Sequence, residues 1–353
     1  MKGASCDILV VGAGPAGSSA AIGAAGKGAR VLVVERGSVI GVPVRCAEYI
    51  PAPLLGEVHD RSFLVQSIRG MRTFLPGGEE TEIRASGFTI RRDRFDQSLA
   101  KEAERSGAEI RLSTRALSRS HGEVLLREGK DRFSTVKAKI VIGADGPHST
   151  VGRWIGSVNR RMIPAIQVSV PLVNALDQTE VYFDKDMYGG YGWLFPKGDV
   201  ANVGVGMKSG GGRIPSIKHA LDRLLCTLRE HEKIRGEPRA MTGGWIPVAP
   251  SIKTTQGNVL LVGDAAGQTH PITGAGVAQA VICGRKAGKW AFRALERGDF
   301  GLLSRYEEDW RDHFGASLER ASKRRRKLER EWGRLEQVLK TCWIAYREYY
   351  AGS

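Results

Sequence analysis

Cysteine is scarce and unpatterned in these 353 residues: Cys6, Cys46, Cys226, Cys283 and Cys342 form no C-x-x-C pair and leave an odd number. That spacing argues against a disulfide framework and a zinc site, so no metal is expected and a reducing, cytoplasmic setting fits. Long apolar runs are missing as well. No stretch approaches the ~20 consecutive apolar residues that cross a bilayer, and the short apolar start, Met1 to Gly14, leads straight into glycines and reads as a first strand. Acidic residues are outnumbered: 38 Asp and Glu against 53 Lys and Arg leave a formal charge of +15, which favours anionic partners without choosing among lipid headgroups, phosphorylated substrates and nucleic acid. Internal repeats and disordered linkers are absent, and 42% apolar residues suffice for a substantial core.

What is present begins at Asp7. The apolar run Asp7 to Val11 ends in Gly12-Ala13-Gly14-Pro15-Ala16-Gly17, followed by the alanine-rich segment 18–26 and a second apolar run, Arg30 to Val34. Strand, glycine turn, helix, strand is the order of a dinucleotide site. Gly12 and Gly14 let the backbone turn and approach a pyrophosphate, Gly17 lets the helix pack on the strand, and the helix N-terminus faces the phosphates. Glu35 ends the second strand 18 residues after Gly17, where a carboxylate accepts hydrogen bonds from a ribose. Glu35 followed by Arg36 favours FAD or NAD over NADP.

Two later stretches repeat the strand-then-turn pattern. AKIVIGADG (138–146) ends in Asp145-Gly146, and NVLLVGDAA (258–266) ends in Gly263-Asp264 before His270-Pro271-Ile272-Thr273-Gly274-Ala275-Gly276 and an apolar helix. In this order, over about residues 5 to 295, the three motifs resemble the para-hydroxybenzoate-hydroxylase-like flavoproteins. The resemblance implies an α/β chain with a Rossmann-type FAD domain and an interleaved antiparallel sheet. It implies that Asp264 binds the ribityl hydroxyls and that the amides of Gly274, Ala275 and Gly276 face the flavin's pyrimidine edge. Asp145 and Gly146 would shape the pocket and a nicotinamide approach, while Arg92, Arg45, Ala47 and Ala116 would lie along the cofactor. Arg92 also reads as one more basic residue on a solvated helix start. Only one dinucleotide fingerprint is present, so the electron donor, NAD(P)H or a ferredoxin, binds transiently.

Gly41-Val42-Pro43-Val44-Arg45-Cys46-Ala47-Glu48 and Tyr191-Gly192-Trp193-Leu194-Phe195-Pro196 narrow the resemblance to geranylgeranyl reductases, with Ala47 standing where that pattern has glycine. Those enzymes saturate isolated double bonds of prenyl chains with reduced flavin. An unactivated alkene has no carbonyl to absorb charge, so hydride delivery to one carbon needs a proton at the other. Cys46 is the candidate donor, directly or through a water; a small thiol filling a gap is the other reading of it. Tyr191, Trp193 and Phe195 alternate and share one strand face, either lining an apolar cleft for the prenyl chain or forming plain core. His148 and His270 lie beside motifs without metal or triad spacing and read as structural.

The division expected is an FAD domain from 1–155 and 255–295, with inserted segments near 45–90 in a polar, irregular stretch; a substrate domain at 156–254; and a helical tail at 296–353. Within the middle, Ala165 to Val170, Glu180 to Phe183 and Val200 to Met207 alternate as antiparallel strands, interrupted by the loop Ser209 to Arg213 and accompanied by a helix at Ile217 to Glu230. The tail, Tyr306 to Tyr350, repeats apolar residues at helical steps around Lys323-Arg324-Arg325-Arg326-Lys327. Such a helix lies on an anionic membrane or packs on its own domain. No motif supports nucleic acid, and none is expected. Prenylated lipid or isoprenoid is the substrate class expected; an FAD-dependent monooxygenase or halogenase is the alternative, and a non-catalytic flavoprotein scaffold a third.

Overall fold

The computed structural model describes residues 4–26, 28–208 and 216–351; the Ser209 to Arg213 loop lies outside the described residues. The chain opens with β1 (Ala4–Val11), α1 (Pro15–Ala25) and β2 (Val31–Val34). There follow β3 (Tyr49–Pro51), β4 (Leu64–Phe74), β5 (Glu80–Ile90), α2 (Arg92–Arg105), β6 (Glu109–Arg111), β7 (Thr114–Ser120), β8 (Glu123–Glu128), β9 (Arg132–Gly143) and α3 (Thr150–Trp154). The middle supplies β10 (Met162–Pro171), β11 (Gln178–Tyr182), β12 (Tyr191–Lys197), β13 (Val200–Gly206), α4 (Ile217–Glu230) and β14 (Arg239–Pro247). Last come β15 (Thr255–Gln256), β16 (Val259–Leu261), α5 (Val277–Arg297), α6 (Ser304–Arg330) and α7 (Leu335–Cys342).

The first sheet runs β15-β16-β9-β1-β2-β6, with β8 also paired to β9 and β7 to β8. Its centre is parallel: Ile8 sits opposite Val31 on one side and Ile140 on the other. All four residues of β2 are buried, as expected of a strand covered on both faces. On one face α1 packs on α5 at backbone distance, since a Cβ on Gly284 would stand 2.4 Å from the Ala16 carbonyl oxygen and one on Gly288 would stand 2.1 Å from that of Ala20. The alanine-rich composition of α1 is therefore a packing requirement.

The second sheet runs β14-β10-β13-β12-β11-β4-β5-β3. Here the expected division needs correcting. The stretch near 45–90 does interrupt the first sheet, between β2 and β6, but it is not irregular, and its strands β3, β4 and β5 extend the second sheet. The join is parallel, Gln178 opposite Gly70 and Tyr182 opposite Phe74, so this sheet is mixed rather than antiparallel. Alternation of exposed and buried side chains along β4 and β5 gives these strands their polar look.

The tail is not one helix. α6 ends at Arg330, and short 3₁₀ turns at Trp332–Arg334 and Arg347–Tyr349 flank α7. Trp310 and Leu318 join the core of the first sheet. Trp332, Leu335, Leu339 and Trp343 cover Met71, Val181 and Phe183 of the second. The apolar face proposed for a membrane is thus buried within the protein, and Arg325, at the middle of the basic run, is only 2% exposed. Among the described residues no helix is long and apolar enough to cross a membrane.

Candidate active site

The three motifs meet along one groove between the sheets. At one end, the glycine turn is set by close approach. Gly12 has φ 103°, and a Cβ there would lie 2.4 Å from the Ala144 carbonyl oxygen; a Cβ on Gly17 would lie 1.8 Å from that of Gly12. Gly14 differs: a Cβ there meets nothing within 4 Å. Beyond it α1 starts with Pro15, without a side-chain cap or an acidic residue in its first turn, which leaves its end amides to an anion. Glu35 closes the turn, its Oε2 accepting from the Ala13 amide at 2.9 Å and its Oε1 from Gly37 at 2.7 Å. Arg36 is exposed. Ala116 is buried on β7 in the cluster that holds Val11 and Val34.

Gly263 leads from this end to the middle, since its Cβ would meet that of Ala16 at 2.9 Å. Asp264 accepts from Thr269 Oγ1 at 2.6 Å, and the Gly276 turn, whose Cβ would stand 3.4 Å from Asp264 Oδ1, opens α5 without a cap. Burial lifts the Asp264 carboxyl above the usual range, with Thr269 and Arg92 opposing. Asn159 ties two motifs together by donating to the Pro147 and Asp264 carbonyls at 3.1 and 2.7 Å.

Asp145 does not offer a free carboxylate to the pocket. It accepts from Ser149 Oγ and the Thr150 amide, each at 2.5 Å, and from the Val151 amide at 3.2 Å, so it holds the start of α3. Gly146, at φ 80°, makes the turn between them. Arg92 is no solvated residue either: it forks onto Asp96 through Nε and Nη2 at 2.9 and 3.1 Å, both side chains largely buried.

The 41–48 loop is pinned from across the groove by residues that sequence reasoning passed over. Gln167 donates to the Cys46 carbonyl at 2.8 Å, and Asn202 to the Ala47 carbonyl at 3.2 Å and Glu48 Oε2 at 2.9 Å. Glu48, 4% exposed, also pairs with Lys197 and accepts from the Arg92 amide at 2.9 Å. Gly41, φ 77°, and Glu48, φ 69°, are the left-handed residues of this loop and Ala47 is not one, so alanine fits where the family pattern has glycine. A usable signal exists for Gln167 and Asn202 alone, as polar residues inside apolar strand runs. Arg45 is exposed, and its Cβ would be 3.7 Å from a Cβ on Gly244 of β14.

At the far end Tyr191 and Trp193 do share a face, ring centroids 6.2 Å apart, and line a small cavity of about 20 Å³ with Ile246, Ile272, Gly274 and Arg325. Phe195 lies further along β12 against Tyr49, centroids 6.1 Å apart, outside that cavity. Tyr191 donates to the Thr273 carbonyl. Trp193 is 7% exposed and its indole Nε1 has no partner among the described residues. Arg325 donates to the Pro271 carbonyl at 2.9 Å and thereby braces the loop that leads to Gly274. His270 stays neutral, burial pulling it down to about 4 with Arg320 adding to the effect. A larger hollow, about 430 Å³, opens over β4 and β5 beside Ile68 and Phe88 and contains none of the motif residues.

These features fit FAD. The empty side of Gly14 at one uncapped helix start, the Asp264 carboxylate, and a second uncapped helix start at Gly276 would hold pyrophosphate, ribityl chain and flavin edge in order.

Comparison with known proteins agrees. Residues 85–321 match the family described as FAD binding domain, and residues 7–41 the one described as FAD dependent oxidoreductase. A digeranylgeranylglycerophospholipid reductase of Methanosarcina acetivorans is 38% identical, covering 97% of this chain and 86% of its own; reductase 1 of Methanopyrus kandleri is also 38% identical, covering 89% and 88%. A geranylgeranyl bacteriochlorophyll reductase-like structure from Thermoplasma acidophilum superposes with TM-score 0.85 at 30% identity, over 98% of this chain and 92% of that one. A probable FAD-dependent monooxygenase of Pseudomonas aeruginosa, TM-score 0.70 at 19% identity, shares the fold. Identity at this level over nearly the whole chain settles the lineage: the protein belongs to the geranylgeranyl reductase family of FAD-dependent oxidoreductases.

Proposed function

We propose that this protein saturates the isolated double bonds of prenyl chains carried by a glycerophospholipid, with Cys46 as proton donor and the Tyr191–Trp193 face against the chain. The observation that carries the reading is the placement of Cys46. Its loop is pinned across the groove by Gln167 and Asn202, and the half-buried sulfur accepts from the Glu48 amide at 3.2 Å. Bound reduced flavin would supply the hydride. The chain's own residues exclude water and hold a proton at Sγ. At about 20 Å³ the cavity beside Trp193 holds roughly one water, so a prenyl chain enters only as the cleft opens. Contact with a lipid surface would rest on charge alone, through exposed residues such as Lys323, Arg326 and Arg330 of α6. NAD(P)H or a ferredoxin would supply electrons.

The test is anaerobic. Dithionite-reduced protein is mixed with digeranylgeranyl glycerophospholipid, and flavin reoxidation and product mass are followed together. A gain of two hydrogens per double bond, lost in Cys46→Ala with FAD retained, is the expected result. Oxygen-dependent reoxidation without any mass gain would overturn it in favour of a monooxygenase.

A further inference from the structure

An unbalanced charge cluster borders the small cavity. The Glu329 side chain on α6 is largely buried, and three cations from separate elements converge on it. Arg325, one turn earlier, donates through Nε to Oε1 at 2.9 Å. Arg161, just ahead of β10, and Lys208, just after β13, both donate to Oε2, at 2.7 and 2.8 Å. Burial opposes the charge on Glu329, but Lys208, Arg325 and Arg161 hold its carboxyl below the ordinary range, so it is ionised. Three cations to one carboxylate leave a positive excess. Among the described residues no other carboxylate pairs with any of the three.

Burial of Arg325 does not require that excess, because Glu329 and the Pro271 and Gly189 carbonyls already accept from it. Arg161 and Lys208, drawn to one oxygen, repel each other, and a further anion would relieve that repulsion. Their placement says what the anion would be attached to. Arg325 itself lines the cavity beside Tyr191 and Trp193, as do Ile163, two residues after Arg161, and Gly206, two before Lys208. β10 and β13 pair antiparallel with Ala165 opposite Gly206, so Arg161 and Lys208 lie at the same end of that pair. Arg325 is 2% exposed, whereas the Arg161 and Lys208 side chains are 41% and 34% exposed and can offer their remaining N–H groups to a ligand from solvent.

We propose that Arg161 and Lys208 bind the phosphate of the prenyl lipid, holding the headgroup at the rim while the chain runs inward past Arg325 to the Tyr191–Trp193 face. This rests on the prenyl-reductase reading of that face and adds a specificity to it, for phosphorylated prenyl compounds over uncharged ones. Glu329 is a positioning residue that aims both cations at one place. A phosphate oxygen facing a guanidinium and an ammonium makes charge-assisted hydrogen bonds to both.

The test is a binding ratio. FAD-loaded protein is titrated by calorimetry with geranylgeranyl phosphate and with geranylgeraniol in the same neutral detergent, and separately with inorganic phosphate. The parent should bind the phosphate ester about a hundredfold tighter than the alcohol, about tenfold for each cation. That ratio should fall about tenfold in Arg161→Gln and, independently, in Lys208→Met, with Arg161→Lys retaining most of it. Both substitutions leave Arg325 on Glu329, so either variant that folds gives the answer. An unchanged ratio, even with both affinities reduced together, would make the cluster structural and overturn the proposal. Inorganic phosphate bound as tightly as the ester would make this a site for free anions and overturn it too. The reductase reading fails separately: no gain of hydrogens in the anaerobic assay of the parent removes it whatever the ratio, whereas a mass gain with a parent ratio near one removes the phosphate site alone.

Discussion

The two ends of the groove recognise in different ways. Around Gly12 to Gly17 the backbone does the work: absent side chains allow contacts of 1.8–2.4 Å from would-be Cβ atoms to carbonyl oxygens, and helix amides face outward. Around Cys46 the work is done by side chains from separate elements, Arg92 and Asp96 on α2, Gln167 on β10, Lys197 on β12 and Asn202 on β13. The first end is local in sequence and, at Gly12 and Gly17, intolerant of any added atom. The second is assembled over 150 residues of separation and depends on charge and hydrogen bonding.

The largest expected effect breaks the backbone end. Gly17→Ala forces a methyl into the Gly12 carbonyl and should cost about 3 kcal/mol or more of apoprotein stability together with FAD uptake. Gly14→Ala is its control, because no protein atom stands in the way. It should leave apoprotein melting unchanged while weakening FAD binding about tenfold, since the methyl enters the space where pyrophosphate would lie. Melting and flavin fluorescence titration check both; equal melting of the two variants would remove the distinction.

Next comes Lys197→Met, which leaves Glu48 with its neutral donors but no cation. Because Glu48 is 4% exposed, the loss should approach about 3 kcal/mol, read by urea unfolding. FAD content should hold, since the Gly12 end is untouched, while turnover falls as the Cys46 loop loosens. Loss of FAD in step with turnover would mean that the two ends are not separable.

Much of the backbone end was legible because the requirement is local: Gly12, Gly14, Gly17 and Glu35 sit within 24 residues and each has a steric or hydrogen-bonding reason. Asp264 and Gly276 were legible for the same reason. Asp145 stood in its motif, but capping of α3 depends on the Ser149 turn that follows it, and its side chain faces that turn. The strands at 64–90 looked irregular because half their side chains face water. The Glu48–Lys197 pair had no sequence signal, since a pair 149 residues apart is fixed only by how β12 is placed, whereas Gln167 and Asn202 stood out only as polar residues inside apolar strand runs. The tail's stripe was visible, but what covers it was not, because an apolar helix face looks the same whether it meets lipid or Met71 and Phe183.

A third prediction concerns pH and separates the ends again. At the Gly274 end His270 accepts the Thr273 amide on Nδ1 at 3.2 Å, so its proton sits on Nε2, shared with Tyr349 Oη at 3.1 Å. Protonating Nδ1 would oppose that amide as well as charge a buried ring. Its folded value, about 4, lies below the ordinary 6.5, so between those values the unfolded chain binds the extra proton and stability falls as pH falls. The full window is worth up to about 3 kcal/mol. His270→Asn should flatten that part of the urea-midpoint profile, and a wild-type slope retained in the variant would assign the loss to other groups.

The smallest effect is the most discriminating. Trp310, Trp332 and Trp343 all bury an indole N–H that donates, to Thr254 Oγ1 at 3.0 Å, the Lys185 carbonyl at 2.9 Å and Thr73 Oγ1 at 2.8 Å. Trp193 is buried to a similar degree with its N–H unpaired beside the small cavity. Tryptophan to phenylalanine removes the same atoms at either place, but at Trp343 it also breaks a bond and strands Thr73, whereas at Trp193 it removes a donor that is already unsatisfied. Trp193→Phe should therefore cost about 1–2 kcal/mol less than Trp343→Phe, measured by urea unfolding of the apoprotein. Equal costs would mean that the Trp193 N–H is satisfied in solution, by a water in the cavity for instance. The small cavity would then already hold a water that an incoming chain must displace.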